Sequence, residues 1–311
     1  MVNKVLLVCS ANSGRIMPFI TEQGDELVRQ GIEVDYFPIE GKGMYGYIGN
    51  LKSLKQKIKQ GNYDLIHGHY GLSGALAIMQ RIIPVVITFH NGETLTVKGN
   101  FISSIASLFS AYNIYVAKHI YNLTYFKKKN KSIVIPCGIT LGQIKIIPQV
   151  EAKIKMKLPD DKINILFGGS FTNLRKNYSL AKQAIDLLRQ KNINLIELSG
   201  FNREEVTNLL CACDLLLLPT KSEGSPQIIK EAMACNCPIV ATNIADIAEI
   251  TAGTKGCYLT DFNPDNVANA LQKAIDFGKR TSGRVKMDKY DNMLIIKRII
   301  DVYLNVIKTK S

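Results

Sequence analysis

Glu223 and Glu231 are separated by seven residues, and the chain between them reads as the start of a helix. The all-leucine run Leu215–Leu218 has the character of a buried strand and gives way to a polar turn that holds Glu223 and Gly224. A helix is expected over Gln227–Ala234, with Ser225 as N-cap and Pro226 at its first position. Free N–H groups and the positive dipole end at such a terminus suit a diphosphate. Glu223 falls in the loop at the C-terminal edge of the sheet, where α/β proteins bind ligands. Glu231 lies on the helix and points back toward the same place. Ionised carboxylates only accept hydrogen bonds. Beside a diphosphate, each is suited to sugar hydroxyls, one set on a transferred sugar and one on a ribose. Taken alone, two solvated helix acids would look the same. Lys176 adds a cation after the turn Gly168-Gly169-Ser170, a placement that suits phosphate better than a random surface lysine, and Arg175 stands beside it.

These residues need elements to position them, and the chain supplies an alternating pattern. In the first half, strands are expected at Val5–Cys9, Glu33–Pro38, Leu65–His67, Val85–Phe89 and Ile133–Ile135. Helices are expected at Ile16–Gln30, Leu51–Lys59 and Gly71–Arg81. Over Phe101–Tyr121, the spacing of Ile102, Ile105, Phe109, Tyr112 and Val116 predicts one amphipathic helix. Thr140–Leu158 reads as a connection. A second series follows, with strands at Ile163–Phe167, Leu195–Leu198, Leu215–Leu218 and Ile239–Ala241. Its helices are expected at Tyr178–Gln190, Arg203–Ala212, Gln227–Ala234 and Asn266–Phe277, and Asp291–Ile307 reads as a long final helix. Strand–helix alternation of this kind implies two α/β sheets in succession.

The chain has 311 residues, a formal net charge of +13 and 46% hydrophobic residues, which allows two soluble domains with real cores. Residues 1–145 carry 16 Lys/Arg against 8 Asp/Glu, and between Thr94 and Val150 there are seven lysines and no acid. That half is expected to face something anionic. The basic stretches, Lys127–Lys131 among them, lack a nucleic-acid-binding motif or interleaved aromatics, so nucleic acid is not the expected partner. The cluster would equally suit a solvated turn. No apolar run approaches the length of a membrane span, and no export signal is evident, so a cytoplasmic location is expected. The seven cysteines lack zinc spacing and read as buried thiols. His67 and His69 read as structural or acceptor-side residues rather than metal ligands.

The segment from Glu223 to Ala234 resembles the donor-site motif of family 4 retaining glycosyltransferases: two glutamates seven residues apart, then Ala-Met-Ala and a proline before the next strand. The likeness extends along most of the chain. Asp64-Leu-Ile-His-Gly-His-Tyr70 is similar to the family's first-domain strand that ends in a His-containing turn. Val86–His90 is similar to the strand whose terminal His contacts the donor sugar, and Ile133–Gly138 to the strand before the inter-domain link. Three positions depart from the pattern. Asn236 stands where Gly is usual, Ser170 replaces the arginine that normally follows Gly169, and Asn12-Ser-Gly14 stands where paired glycines are common.

The resemblance implies a GT-B fold, two Rossmann-like doubly wound domains facing a cleft. The domains are expected at 1–145 on the acceptor side and 146–288 for the nucleotide sugar, with residues 289–311 as a helix returning to the first. It implies retaining, metal-independent, cofactor-free transfer from a nucleoside diphosphate sugar to a glycan or lipid-linked hydroxyl. Glu223, His90 and Lys176 are the expected catalytic residues. Glu231, Gly224, Ser225, Arg175, Ser170, Gly169, Gly14 and Gly200 are expected around the donor, with Arg175 replacing the missing arginine. An anionic membrane surface on the inner face of the cell membrane, in cell-envelope polysaccharide synthesis, is the expected setting. The loss of the arginine at Ser170 keeps a second class open, a non-catalytic sugar-nucleotide-binding subunit.

Overall fold

A computed structural model describes residues 1–190 and 192–309, so the last two residues of the expected returning segment lie outside the described ones. The chain forms two compact units, one made of Met1–Gly138 with the chain from Asn292 onward, the other of Ile139–Asp291. The second unit is closed at its entry and exit, where Ile139 pairs with Asp291 and its N–H donates to the Tyr290 carbonyl at 2.9 Å.

The first unit holds the strands β1 (Lys4–Ser10), β2 (Glu33–Ile39), β3 (Leu65–His69), β4 (Val85–Phe89), β5 (Tyr112–Tyr115) and β6 (Ser132–Val134). They form one parallel sheet in the order β2-β1-β3-β4-β5-β6. Helices α1 (Pro18–Arg29), α2 (Gly43–Gly49), α3 (Leu51–Gly61), α4 (Gly71–Ile78), α5 (Val97–Phe109) and α6 (Lys118–Leu123) lie between the strands. Alternate residues of β1 feed opposite faces. Leu6 and Val8 join Leu54, Ile58 and Leu76 on one side. Val5 and Leu7 join Ile20 and Leu27 on the other, with Ile295, Ile299 and Tyr303 of the final helix. Period-two burial on both faces is what a central parallel strand requires.

The second unit opens with helix α7 (Gln149–Lys155) and holds β7 (Ile163–Phe167), β8 (Ile193–Glu197), β9 (Leu215–Leu218), β10 (Ile239–Thr242) and β11 (Cys257–Thr260). These form a parallel sheet in the order β11-β10-β9-β7-β8. Its remaining helices are α8 (Tyr178–Asp186), α9 (Arg203–Ala212), α10 (Gln227–Ala234), α11 (Ile247–Thr251) and α12 (Pro264–Phe277), while the final helix α13 (Asn292–Lys308) belongs to the first unit. Leu215 and Leu217 pack with α8 and α12 residues, and Leu216 and Leu218 with α9 and α10 residues.

Three sequence expectations change. The helix expected over Phe101–Tyr121 is α5, β5 and α6 in succession, because the chain leaves the helix at Ser110, whose backbone is extended (φ −66°, ψ 157°). Tyr112 and Val116, placed on the helix by spacings of three and four, fit a strand equally well at spacing two. The expected connection at Thr140–Leu158 contains α7. Ser225 does not cap α10. That helix begins after Pro226, which occupies the cap position without any side-chain cap bond.

Candidate functional site

In each sheet the chain reverses its order of strand addition once, and ligand sites in open α/β sheets form at such points. In the second unit the reversal lies between β7 and β9. The loops that leave these two strands carry Lys176 and Glu223. Their charged ends meet, with Lys176 Nζ donating to Glu223 Oε1 at 2.7 Å. Both side chains are largely shielded, at 16% and 13% exposure. Gly169 makes this possible, since a Cβ there would stand 2.6 Å from Lys176 Cγ. Thr220, fully buried two residues after β9, presents its hydroxyl 3.1 Å from Glu223 Oε1 and 3.1 Å from the Arg175 carbonyl, which joins the two loops.

Glu231 is paired as well. Its carboxylate accepts from the Arg203 guanidinium, which also reaches Gln227 Oε1 at 3.3 Å. Arg203 opens α9, where a capping box between Asn202 and Glu205 fixes the first turn. The preceding turn runs through Gly200 at φ +82°, a conformation that favours glycine. Sequence reasoning missed Arg203. Its only signal is a cation placed just after the N-cap of a helix, where macrodipole arguments favour acids.

The expected capping role of Ser225 is replaced by a buried relay. Ser225 Oγ donates to Asp246 Oδ2 at 2.5 Å and accepts from Lys230 Nζ at 2.5 Å. Lys230 is wholly buried and its Nζ lies 5.2 Å from the Tyr290 ring centroid. The hydroxyl is thereby drawn away from the first turn of α10, where Pro226 holds the cap position and makes no side-chain cap bond.

Where the resemblance leads one to expect an arginine, Ser170 Oγ donates to Glu197 Oε1 at 2.6 Å, and the Phe171 N–H donates to the same oxygen at 2.6 Å. These bonds, the Ser170 hydroxyl first, hold the Glu197 carboxyl below the usual carboxylate range. The Arg175 side chain is exposed, and its carbonyl is the part that ties the loops. Arg203 is thus the guanidinium brought onto a site carboxylate.

In the first unit the reversal lies between β1 and β3. Gly14, at φ +84°, turns the loop after β1, which Asn12 pins to Gly41 through two 2.9 Å bonds. His90 ends β4. Its Nε2 lies 3.1 Å from His69 Nδ1 and its Nδ1 3.8 Å from Cys137 Sγ. Tyr70 and Phe19 flank the ring at centroid distances of 4.7 and 4.8 Å. Both ring nitrogens of His67 are taken, by Tyr303 and Thr88 hydroxyls at 2.6 Å each. Burial pushes all three imidazoles down, His69 to about 3 and His67 and His90 well below their ordinary value. They are neutral near pH 7 and fit a structural stack. Glu93, also missed in the sequence, is buried, and one oxygen accepts the N–H groups of Gly71 and His90 at 3.1 Å each. Burial is the main cause raising its carboxyl from 4.5 to about 7.

Two family models match this chain in tandem, Glycosyltransferase Family 4 over residues 4–143 and Glycosyl transferases group 1 over residues 145–276. The chain belongs to glycosyltransferase family 4. An uncharacterized glycosyltransferase from Methanocaldococcus jannaschii is 29% identical over 252 residues, 76% of this chain and 72% of that protein. The two parallel-sheet units of this glycosyltransferase are the GT-B fold. Sucrose-phosphate synthase from Thermosynechococcus elongatus shares it at 16% identity and a TM-score of 0.85, over 99% of this chain and 100% of that one. HepE from Anabaena, in complex with UDP-glucose, shares it at 13% identity and a TM-score of 0.71, over 98% of each chain.

Proposed function

We propose that this glycosyltransferase moves a sugar from a nucleoside diphosphate donor to a hydroxyl of a glycan or lipid-linked acceptor, with retention and without a metal. The observation that carries the reading is the start of α10, where Pro226 holds the cap position without a side-chain cap bond, between two carboxylates, one held by Lys176 from the loop after β7 and one by Arg203 from the first turn of α9. In this reading the second unit takes the donor. Lys176 and the N–H groups of Gly224 and Ser225 hold the diphosphate and stabilise the charge that grows on it as the bond from the anomeric carbon to the phosphate oxygen breaks. The acceptor oxygen bonds to that carbon from the same face, and its proton passes to the departing phosphate, so no protein base is needed. Glu223 orients the sugar and faces the positive charge at the anomeric carbon. Glu231, steadied by Arg203, accepts from ribose hydroxyls, and the turn at Gly200 lies by the base. Gly169 gives Lys176 its path, and Ser170 with Glu197 leaves the diphosphate dependent on Lys176 and a guanidinium.

The first unit takes the acceptor and contributes His90 and the Gly14 turn. Its basic, acid-free stretch favours a lipid-linked acceptor at the anionic inner face of a cell membrane, as in envelope polysaccharide synthesis. Because HepE is seen with UDP-glucose, uridine diphosphate sugars are the first donors to try. Titrating a panel of sugar nucleotides while following the melting temperature tests the donor half, since a bound ligand raises apparent stability by mass action. An unchanged melting temperature with every member would remove it.

A further inference from the structure

Helix α5 is inside out. Its buried positions are Asn100, Ser103, Ser104, Ala106 and Ser107, while Val97, Phe101, Ile105 and Phe109 face solvent. Those four recur every fourth residue, which places them along one side of a helix. Exposure reaches 77% at Val97 and 72% at Phe109. Small residues inside let α5 approach α4 closely, where a Cβ on Gly71 would collide with the Ser103 hydroxyl. Close packing explains the inner face and leaves the outer one unexplained.

The polar inner face also fastens a second apolar segment alongside. Asn100 Nδ2 donates to the Leu123 carbonyl at 2.8 Å, Ser104 Oγ accepts the Tyr125 N–H at 3.0 Å, and Ser107 Oγ donates to the Phe126 carbonyl at 2.6 Å. Leu123, Tyr125 and Phe126 of that segment are exposed, and the Phe126 ring meets Phe101 of the outer stripe edge-on at 6.2 Å. Exposed apolar side chains gathered in this way mark an interaction surface. Its charges have one sign. Lys98 is exposed on α5, Lys118 and Lys129 are exposed on the chain before and after Leu123–Phe126, and no acid occurs between Thr94 and Val150. Lys127 is excluded from the set, because its Nζ is spent on the Tyr121 and Thr124 carbonyls at 2.6 and 2.9 Å.

We infer that the outer face of α5 with the Leu123–Phe126 segment docks on an anionic lipid bilayer, the apolar side chains entering the headgroup boundary and the three lysines meeting lipid phosphates. A stretch whose exposed charges are all lysines favours a bilayer over a protein partner, whose surface normally carries both signs. Among the described residues no helix is long and apolar enough to cross a membrane, so this would be attachment to one leaflet. The inference extends the acceptor side of the proposed function, but vesicle binding is read without donor or acceptor, so either can fail alone.

The test is co-sedimentation of the full chain with vesicles of phosphatidylcholine, with and without phosphatidylglycerol. Wild type should bind the anionic vesicles, less tightly as salt rises. Lys98→Ser, Lys118→Ser and Lys129→Ser together should weaken that binding about a hundredfold, at about fivefold per basic residue, and remove its salt dependence. Val97→Ser with Phe109→Ser, both at exposed positions, should lose binding to either vesicle while circular dichroism melting stays at the wild-type temperature. Absence of wild-type binding to anionic vesicles, or wild-type binding by the apolar variant, would overturn the inference. So would a wild-type dimer in analytical ultracentrifugation that the apolar variant abolishes.

Discussion

Lys176 and Glu223 come from loops that leave two neighbouring strands, and their charged ends meet at 2.7 Å with little access to solvent. The pair fixes both loops before any donor arrives. In the proposed reaction a donor diphosphate shares Lys176 with Glu223, so the two side chains would act as one device.

Glu223→Gln keeps an acceptor for Lys176 and removes the negative charge. Transfer should fall about a hundredfold or more, the scale seen when a preorganised charge-stabilising group is lost. The melting curve should stay close to wild type. Parallel rate and circular dichroism measurements check this, and near-wild-type turnover would remove Glu223 from the reacting centre.

Arg203 and Arg175 compete for the part of the missing arginine. Arg203→Ala should raise the donor KM about tenfold with a smaller change in kcat, because it steadies a binding carboxylate through charge-assisted hydrogen bonds. Arg175→Ala should have less effect, since its backbone does the tying and its side chain is exposed. The reverse order in steady-state kinetics would return the part to Arg175.

Lys230→Met should destabilise the protein by about 1–3 kcal/mol, the cost of leaving buried hydrogen-bonding groups short of a partner. Ser225 and Asp246 lose the cation that completes their relay, so donor KM should rise as well. Urea unfolding and donor titration of the same variant check both parts.

Acid should weaken the first unit. A buried histidine that stays neutral binds fewer protons folded than unfolded, so stability rises with pH from about 3 to 6.5 for His69. His67 and His90 act in the same direction. Glu93 opposes them. With its carboxyl raised from 4.5 to about 7, the folded chain keeps a proton that the unfolded chain has lost, so its contribution falls as pH rises through that interval. Three histidines outweigh one carboxyl, so the melting temperature should fall on acidification below 6.5. Glu93→Gln should steepen that fall, and a melting series across pH shows whether it does.

The sequence made the Glu223–Glu231 segment legible because its signals are local. Four consecutive leucines, a polar turn and a helix start can be read within one segment, and β9 and α10 occupy the expected Leu215–Leu218 and Gln227–Ala234. Ser225 was misread because Pro226 takes the cap position and Asp246 with Lys230 draws the hydroxyl elsewhere, contacts between loops that no local pattern carries. Arg203 on Glu231 is likewise a meeting of two elements, α9 and α10, that lie apart in the chain. The helix expected over Phe101–Tyr121 failed through period ambiguity, and α5 reverses the rule that apolar stripes face inward. The short α2 went unread because its sequence, Gly43 to Gly49, contains three glycines, poor helix formers.

The most direct test of the central claim is release of nucleoside diphosphate from a panel of sugar nucleotides, with water as the default acceptor and EDTA present throughout. At least one donor should be slowly hydrolysed by wild type, and Lys176→Met should abolish that release while the variant remains folded by circular dichroism. If wild type neither binds nor hydrolyses any member of the panel, or if Lys176→Met releases the nucleotide as fast as wild type, the donor site described around Lys176 and Glu223 is contradicted.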